Sequence, residues 1–320
     1  MLRFFCPLVA STFLITCAPS NHPSTHTGAH VQDKNDIQTL IFKTHSRGTQ
    51  KEVAAVIAVP KDANTPIPLI ITQHGSSRDG LRFPGSSGRT DEYSTRIIRS
   101  GVERGFAVAA IDAFYGTDIK ANNKTIFPNA FQYAVDLNQI LSKDPRFDEN
   151  NIFYTGFSYG AGQVNKSVYK YQEKKFKNWK AVASVEPGCN MIWEPVLVSF
   201  PILLIKGSES HYYIEPCRRY TDMVKNVGNR IELRVINGAN HFFSTNGKII
   251  NGIAVNGCRF NPVIRKLDGS YIFANGFTAT RNLYRKKCFT REGGSGKNRL
   301  LLDDVVKGVL LFFEKNYSKK

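Results

Sequence analysis

Gly156-Phe157-Ser158-Tyr159-Gly160 sets one hydroxyl between two glycines, and Ala161-Gly162 follow at once. A serine hydroxyl is a poor nucleophile until a neighbouring base takes its proton. The G-x-S-x-G spacing suits a sharp turn from strand to helix. Its glycines remove side chains that would collide, and the serine is lifted above the end of a sheet. The helix after the turn would aim its positive end at the reacting atoms. Ser158 is therefore the expected nucleophile, and the chemistry it would perform is acyl transfer.

Such a serine needs a carboxylate and a histidine later in the chain, in that order. His241, within Gly238-Ala239-Asn240-His241-Phe242, follows the last apolar strand run and is the expected base. His211 stands one strand earlier, where the acid belongs. Glu209, in Gly207-Ser208-Glu209-Ser210, is the expected orienting acid, although the usual Gly-x-x-Asp spacing falls on Ser210. Glu186 and Glu215 are the alternatives. Negative charge developing on a carbonyl oxygen calls for two backbone N–H donors. Tyr159 offers one and Ser76 the other, with Gly75 as second choice, from the loop Gln73-His74-Gly75-Ser76-Ser77. His74 reads as a residue that shapes this loop. Phe114, Tyr115, Tyr159, Trp193 and Tyr212 fall in loops above the same end of the sheet, where aromatics line pockets or simply pack. This chemistry calls for no cofactor and no metal. His22, His26 and His30 recur every four residues, but Pro23 and Gly28 argue against the helix that would gather them on a metal-binding face.

The elements that must position these residues alternate along the chain. Ile37–Lys43 and Glu52–Val59 alternate apolar and polar residues, as antiparallel edge strands do. Leu69–Thr72, Phe106–Ile111, Ile152–Thr155, Ala181–Val185, Ile202–Ile205 and Ile231–Ile236 are short apolar runs suited to strands buried on both faces. Helices are predicted near 91–104, over 129–141, from the Ser158 turn to about 174, near 216–227, and over 300–313. Strands alternating with helices predict one α/β domain with a mainly parallel eight-stranded sheet covered on both faces. Residues 242–299 interrupt the pattern before the last helix. They contain a hairpin-like stretch, Val263–Phe273, with Asp268-Gly269 as its turn.

The chain has 320 residues, 42% hydrophobic and 22% charged, ordinary for a protein with a real core. Its net charge of +17 raises the question of nucleic acid, but no nucleic-acid-reading motif is present. An anionic membrane, a wall or an acidic substrate is a simpler partner, and a solvated basic face simpler still. Met1–Cys17 has a minimal basic start and an apolar run from Phe4 to Ile15, too short to span a bilayer. It ends in Leu14-Ile15-Thr16-Cys17, which resembles a bacterial lipobox. The expectation is a signal peptide over 1–16, a lipid anchor on Cys17, a polar tether over 17–36 and a domain over 37–320. The protein would then be exported, periplasmic and membrane-anchored, with Ala18 favouring the outer membrane. Cys189, Cys217, Cys258 and Cys288 form an even set suited to an oxidising compartment, and allow three pairings. Cys258 and Cys288 flank the hairpin-like stretch, so that one disulfide is expected to staple it.

Gly156–Gly162, the His74-Gly75 loop, Glu186-Pro187-Gly188-Cys189, Pro201–Gly207, Pro216-Cys217 and Gly238–Phe242 together resemble the dienelactone hydrolase family. The likeness covers roughly residues 37–243 and the last helix, and leaves the insertion outside. It implies an α/β-hydrolase fold, a small ester or lactone substrate, and a pairing of Cys189 with Cys217 that leaves Cys258 for Cys288. Founding members use a cysteine nucleophile on aromatic-derived lactones. Ser158 in that position points to a broader esterase. The rivals are a serine peptidase or polysaccharide deacetylase on the same scaffold, and a non-catalytic lipoprotein that docks through its basic insertion.

Overall fold

An apolar run can be buried on both faces only inside a sheet whose faces are both covered, and the central runs of this chain are so buried. The computed structural model describes residues 35–318, apart from 65, 121–125, 170–178, 190, 242, 244–248, 255 and 295–297. The expected signal segment, Cys17, nearly all of the tether, and His22, His26 and His30 lie outside the described residues. Strand β1 (Asn35–Ser46) pairs antiparallel with β2 (Thr49–Pro60), and β3 (Ile67–Gln73) follows. Helix α1 (Glu92–Glu103) leads to β4 (Ala107–Asp112), and α2 (Phe131–Leu141) to β5 (Phe147–Phe157). Helix α3 (Tyr159–Tyr169) is followed by β6 (Ala181–Val185) and the short β7 (Met191–Trp193). Then come β8 (Ile202–Gly207), α4 (Glu215–Asn226) and β9 (Ile231–Ile236).

Eight strands form one sheet in the order β1-β2-β4-β3-β5-β6-β8-β9. Strand β2 runs antiparallel to both β1 and β4, and every later pairing is parallel. These are the eight strands expected from the sequence. Side chains of α2, α3 and α4 bury one face, among them Phe131, Val164, Val168 and Tyr220. Helix α1 and the last helix, α6 (Arg299–Asn316), bury the other through Ile97, Ile98, Val305 and Val309. Arg96–Asp303 at 2.6 Å and Arg104–Glu314 at 2.8 Å tie those two helices together at the surface.

The insertion contains β10 (Ile249–Ala254), β11 (Val263–Arg265), β12 (Tyr271–Phe273), α5 (Arg281–Cys288) and β13 (Thr290–Gly294). The expected hairpin is β11–β12, with Gly269 at φ +88° in its turn, a conformation that suits glycine. The sequence did not mark its third strand, β7, which pairs parallel with β11 and fastens the insertion to the main domain. Cys189–Cys217 and Cys258–Cys288 are disulfides among the described residues.

Candidate active site

Four strands end side by side where Ser158 stands, and backbone bonds step across their ends. Ser158 N–H donates to Val185 O at 2.9 Å, and Glu186 N–H donates to Ile205 O at 2.9 Å. Ser208 N–H reaches Ile236 O at 3.0 Å, and Glu209 N–H reaches Ala239 O at 2.9 Å. The carboxyl ends of β5, β6, β8 and β9 are thus locked in register before any side chain acts. Parallel sheets bind ligands at this end.

Ser158 has φ +51°, a left-handed conformation that L-residues rarely adopt. Its glycines are required by close approach. A Cβ on Gly160 would lie 2.2 Å from Gln73 O, and one on Gly156 would lie 2.6 Å from the Gly160 carbonyl carbon. Both clashes are with backbone, so only glycine lets α3 start this near to β3 and β5.

Ser158 Oγ lies 2.8 Å from His241 Nε2, and His241 Nδ1 lies 2.9 Å from Glu186 Oε2. The carboxylate on His241 is therefore Glu186, and the expectation of Glu209 is corrected. Glu209 uses its backbone to hold Ala239, and its side chain faces solvent. The other alternative, Glu215, opens α4. The reason lies in the sheet order. Strand β6 is the immediate neighbour of β5, so a residue at its end is beneath an imidazole that reaches Ser158. Strand β8 is one position further away. Glu186 has φ +56°, so that both it and Ser158 are non-glycine residues in the left-handed region.

Glu186 is fully buried, and donors surround its carboxylate. Oε2 accepts from His241, from Lys206 Nζ at 2.8 Å and from Ser210 Oγ at 2.9 Å. Oε1 accepts from the Gly207 N–H. Burial alone would raise this carboxyl, but the Lys206 ammonium and the His241 bond hold it down, at about 2. The group is thus a carboxylate throughout the physiological range.

The loop after β3 lies against the serine: a Cβ on Gly75 would come within 3.4 Å of Ser158 Cβ. The Gly75 N–H is already used, donating to Asp91 Oδ2 at 2.6 Å. The amides of Ser76 and Tyr159 donate to no protein acceptor among the described residues. Ser76 rather than Gly75 is accordingly the amide available there. Asp91 also caps α1 through Ser94 N–H at 2.8 Å, and burial holds its carboxyl above the ordinary value in spite of these donors. His74 is fully buried. Its Nδ1 bonds Gly75 O, and its Nε2 accepts from Ala113 N–H at 2.9 Å, so the ring braces the loop from beneath.

Of the five aromatics expected above the sheet, Tyr212 packs on His241 at 4.7 Å between ring centroids, with His211 5.0 Å from His241. Phe114 is interior, packed with Tyr159 and Phe127, and Tyr115 is half-buried. The Tyr159 hydroxyl donates to Pro128 O at 2.7 Å. Trp193 packs on Tyr169. A hollow bounded by Glu149, Lys180, Arg230 and Lys315 opens beside the opposite, amino-terminal ends of β6, β8 and β9, away from Ser158.

The sequence contained a signal for Glu186. Lys206 closes an otherwise apolar buried run, Ile202-Leu203-Leu204-Ile205, and a lysine buried there requires a carboxylate from the adjacent strand.

No family model and no curated protein matches the sequence. Solved structures do match. A dienelactone hydrolase-like promiscuous phosphotriesterase from metagenomic libraries aligns with a TM-score of 0.55 at 11% identity, over 88% of this chain and 99% of that one. Esterase 2 of Thermogutta terrifontis, phosphorylated by paraoxon, aligns with a TM-score of 0.50 at 17% identity, over 65% and 85%. With the strand order above, these likenesses establish an α/β-hydrolase fold.

Proposed function

We propose that this protein is a serine hydrolase that cleaves small carboxylic esters or lactones through an acyl-enzyme. The observation that carries the reading is the continuous chain from Ser158 Oγ through His241 to Glu186, with two unused amides at Ser76 and Tyr159 beside it. Ser158 Oγ attacks the carbonyl carbon while His241 Nε2 takes its proton. Glu186 fixes the tautomer of His241 and stabilises the imidazolium that forms. The Ser76 and Tyr159 amides hold the tetrahedral oxyanion. His241 then returns the proton to the departing alkoxide. A water molecule, deprotonated by His241, attacks the acyl carbon; the ester bond to Ser158 breaks, His241 passes the proton to Ser158 Oγ, and the acid leaves. No metal or organic cofactor enters these steps.

The decisive experiment is labelling of the purified protein with a fluorophosphonate probe, followed by turnover of p-nitrophenyl esters and lactones of graded chain length. Labelling that is absent, or that survives Ser158→Ala, sinks the proposal. Paraoxon is an apt second probe, since Thermogutta terrifontis esterase 2 is phosphorylated by it.

We further propose that the chain is exported, with 1–16 as signal peptide, Cys17 as lipid site and the residues up to the domain as a tether. Two disulfides support an oxidising compartment. Labelling cells with a fatty-acid analogue tests the anchor: Cys17→Ser protein that labels like wild type refutes it.

A further inference from the structure

Lys206 takes no part in the acyl-transfer steps, yet its charge lies deep inside the protein. It sits at the end of β8 with 0% exposure, flanked by strands on both sides. Each donor of its ammonium has a partner: Glu186 Oε2 at 2.8 Å, Ser210 Oγ at 2.9 Å and Pro187 O at 3.2 Å. The Tyr212 ring lies 5.8 Å from Nζ. Burying a lysine here is expensive, and a salt bridge buried solely for stability is commonly matched by apolar residues of the same volume. The arrangement therefore calls for a role beyond packing. The end of β8 is also where the acid was expected from the sequence. In this chain the acid comes from β6, and β8 contributes a cation to it.

We propose that Lys206 is a positioning residue of the active site, whose fixed ammonium makes a neutral Glu186–Lys206 pair, rather than a lone carboxylate, the partner of His241. This inference rests on the triad reading above. Its physical content is a balance of charge. A buried lone carboxylate on Nδ1 would hold the imidazole protonated and unable to accept the Ser158 proton until high pH. A carboxylate whose charge is offset by Lys206 still orients the ring and accepts its N–H, but attracts the proton less. Ser210, which accepts from Lys206 and donates to Glu186, joins the two charges in a closed ring of hydrogen bonds. Ser158, His211, Tyr212 and Phe157 also face His241, and among the described residues no further charged group bonds Glu186.

The test is Lys206→Met, which keeps length and removes charge, with the His241 Cε1–H resonance titrated by NMR and the acid limb of kcat/KM measured on p-nitrophenyl acetate. Lys206 Nζ and His241 Nδ1 share Glu186 Oε2, at 2.8 Å and 2.9 Å, so removing the charge should move the His241 titration and the acid limb up by about one to two pH units. A purely structural lysine would lower Tm and leave both titrations where they were, and that result overturns the proposal. If Lys206→Met does not fold, the Glu186→Gln/Lys206→Met double variant, in which neither charge is buried, decides. Its folding supports the pairing of the two charges, and its failure to fold assigns Lys206 to packing and refutes the idea. The NMR titration needs no turnover. A wild-type protein inert to ester and fluorophosphonate would therefore sink the hydrolase reading while leaving this one separately testable.

Discussion

Glu186→Gln changes one oxygen for an NH2 group, and the surroundings of that oxygen set the cost. All four contacts of the carboxylate come from donors: His241, Lys206 and Ser210 on Oε2, and Gly207 N–H on Oε1. A glutamine in this cradle must turn its NH2 towards at least one donor. The less damaging orientation leaves the amide oxygen on His241 and sets the NH2 against the Gly207 N–H, with an unsatisfied pair that costs about 1–3 kcal/mol. His241 then keeps its tautomer but loses the negative charge that stabilises its imidazolium, and Lys206 stays behind as an uncompensated buried cation. Removing one partner of a buried pair costs roughly 3–5 kcal/mol. For a domain of this size that corresponds to a fall in Tm of about 6–10 °C. Loss of the acid's charge should lower kcat by about 10³–10⁴-fold, or some 4–5.5 kcal/mol of barrier, with KM little changed. The assay is turnover of p-nitrophenyl acetate by the purified variant at pH 8, beside calorimetry and a Glu209→Gln control that should stay within about twofold of wild type. A Glu186→Gln protein within tenfold of wild-type kcat, or a Glu209→Gln protein as damaged as it, would refute the assignment.

Three further outcomes are expected from the same geometry. Asp91→Ala removes both the cap of α1 and the anchor of the Gly75 N–H, so stability should fall by about 0.5–2 kcal/mol and kcat by roughly tenfold or more at similar KM. An unchanged kcat in a destabilised Asp91→Ala protein would mean that His74 alone sets the loop. The Cys189→Ser/Cys217→Ser double variant opens a link spanning 28 residues, and urea melts should report a loss of about 3–4 kcal/mol. Because Glu186 is held below its unfolded value of 4.5, at about 2, its contribution to stability is full above pH 4.5 and is lost as pH falls towards 2. Wild type should therefore lose Tm relative to Glu186→Gln across that window, and parallel curves for the two proteins would contradict the shift.

Residues alone revealed whatever depends on near neighbours in the chain. The eight strands, the helices between them, the turn at Ser158 and the hairpin at Asp268-Gly269 each arise from local spacing, because a turn or an amphipathic period is set by adjacent residues. His241 could be placed by chain order, as the last strand and its loop come in a fixed sequence. The sequence by itself thus determined an α/β fold and pointed to Ser158 and His241, two members of the hydrogen-bonded chain. Only the tertiary structure decided the third. Glu186 and Glu209 each follow a buried strand, and their sequence contexts do not say which strand lies beside β5. The pairing of β6 with β5, and of β8 with β6, settles the geometry by bringing Glu186 under His241 and Lys206 against Glu186. Likewise Ser76 stands apart from Gly75 only because Asp91, distant in sequence, takes the Gly75 amide. Lys206 within an apolar run signals that a carboxylate partner is needed, but contacts between strands are made across a sheet, so packing decides which carboxylate it is.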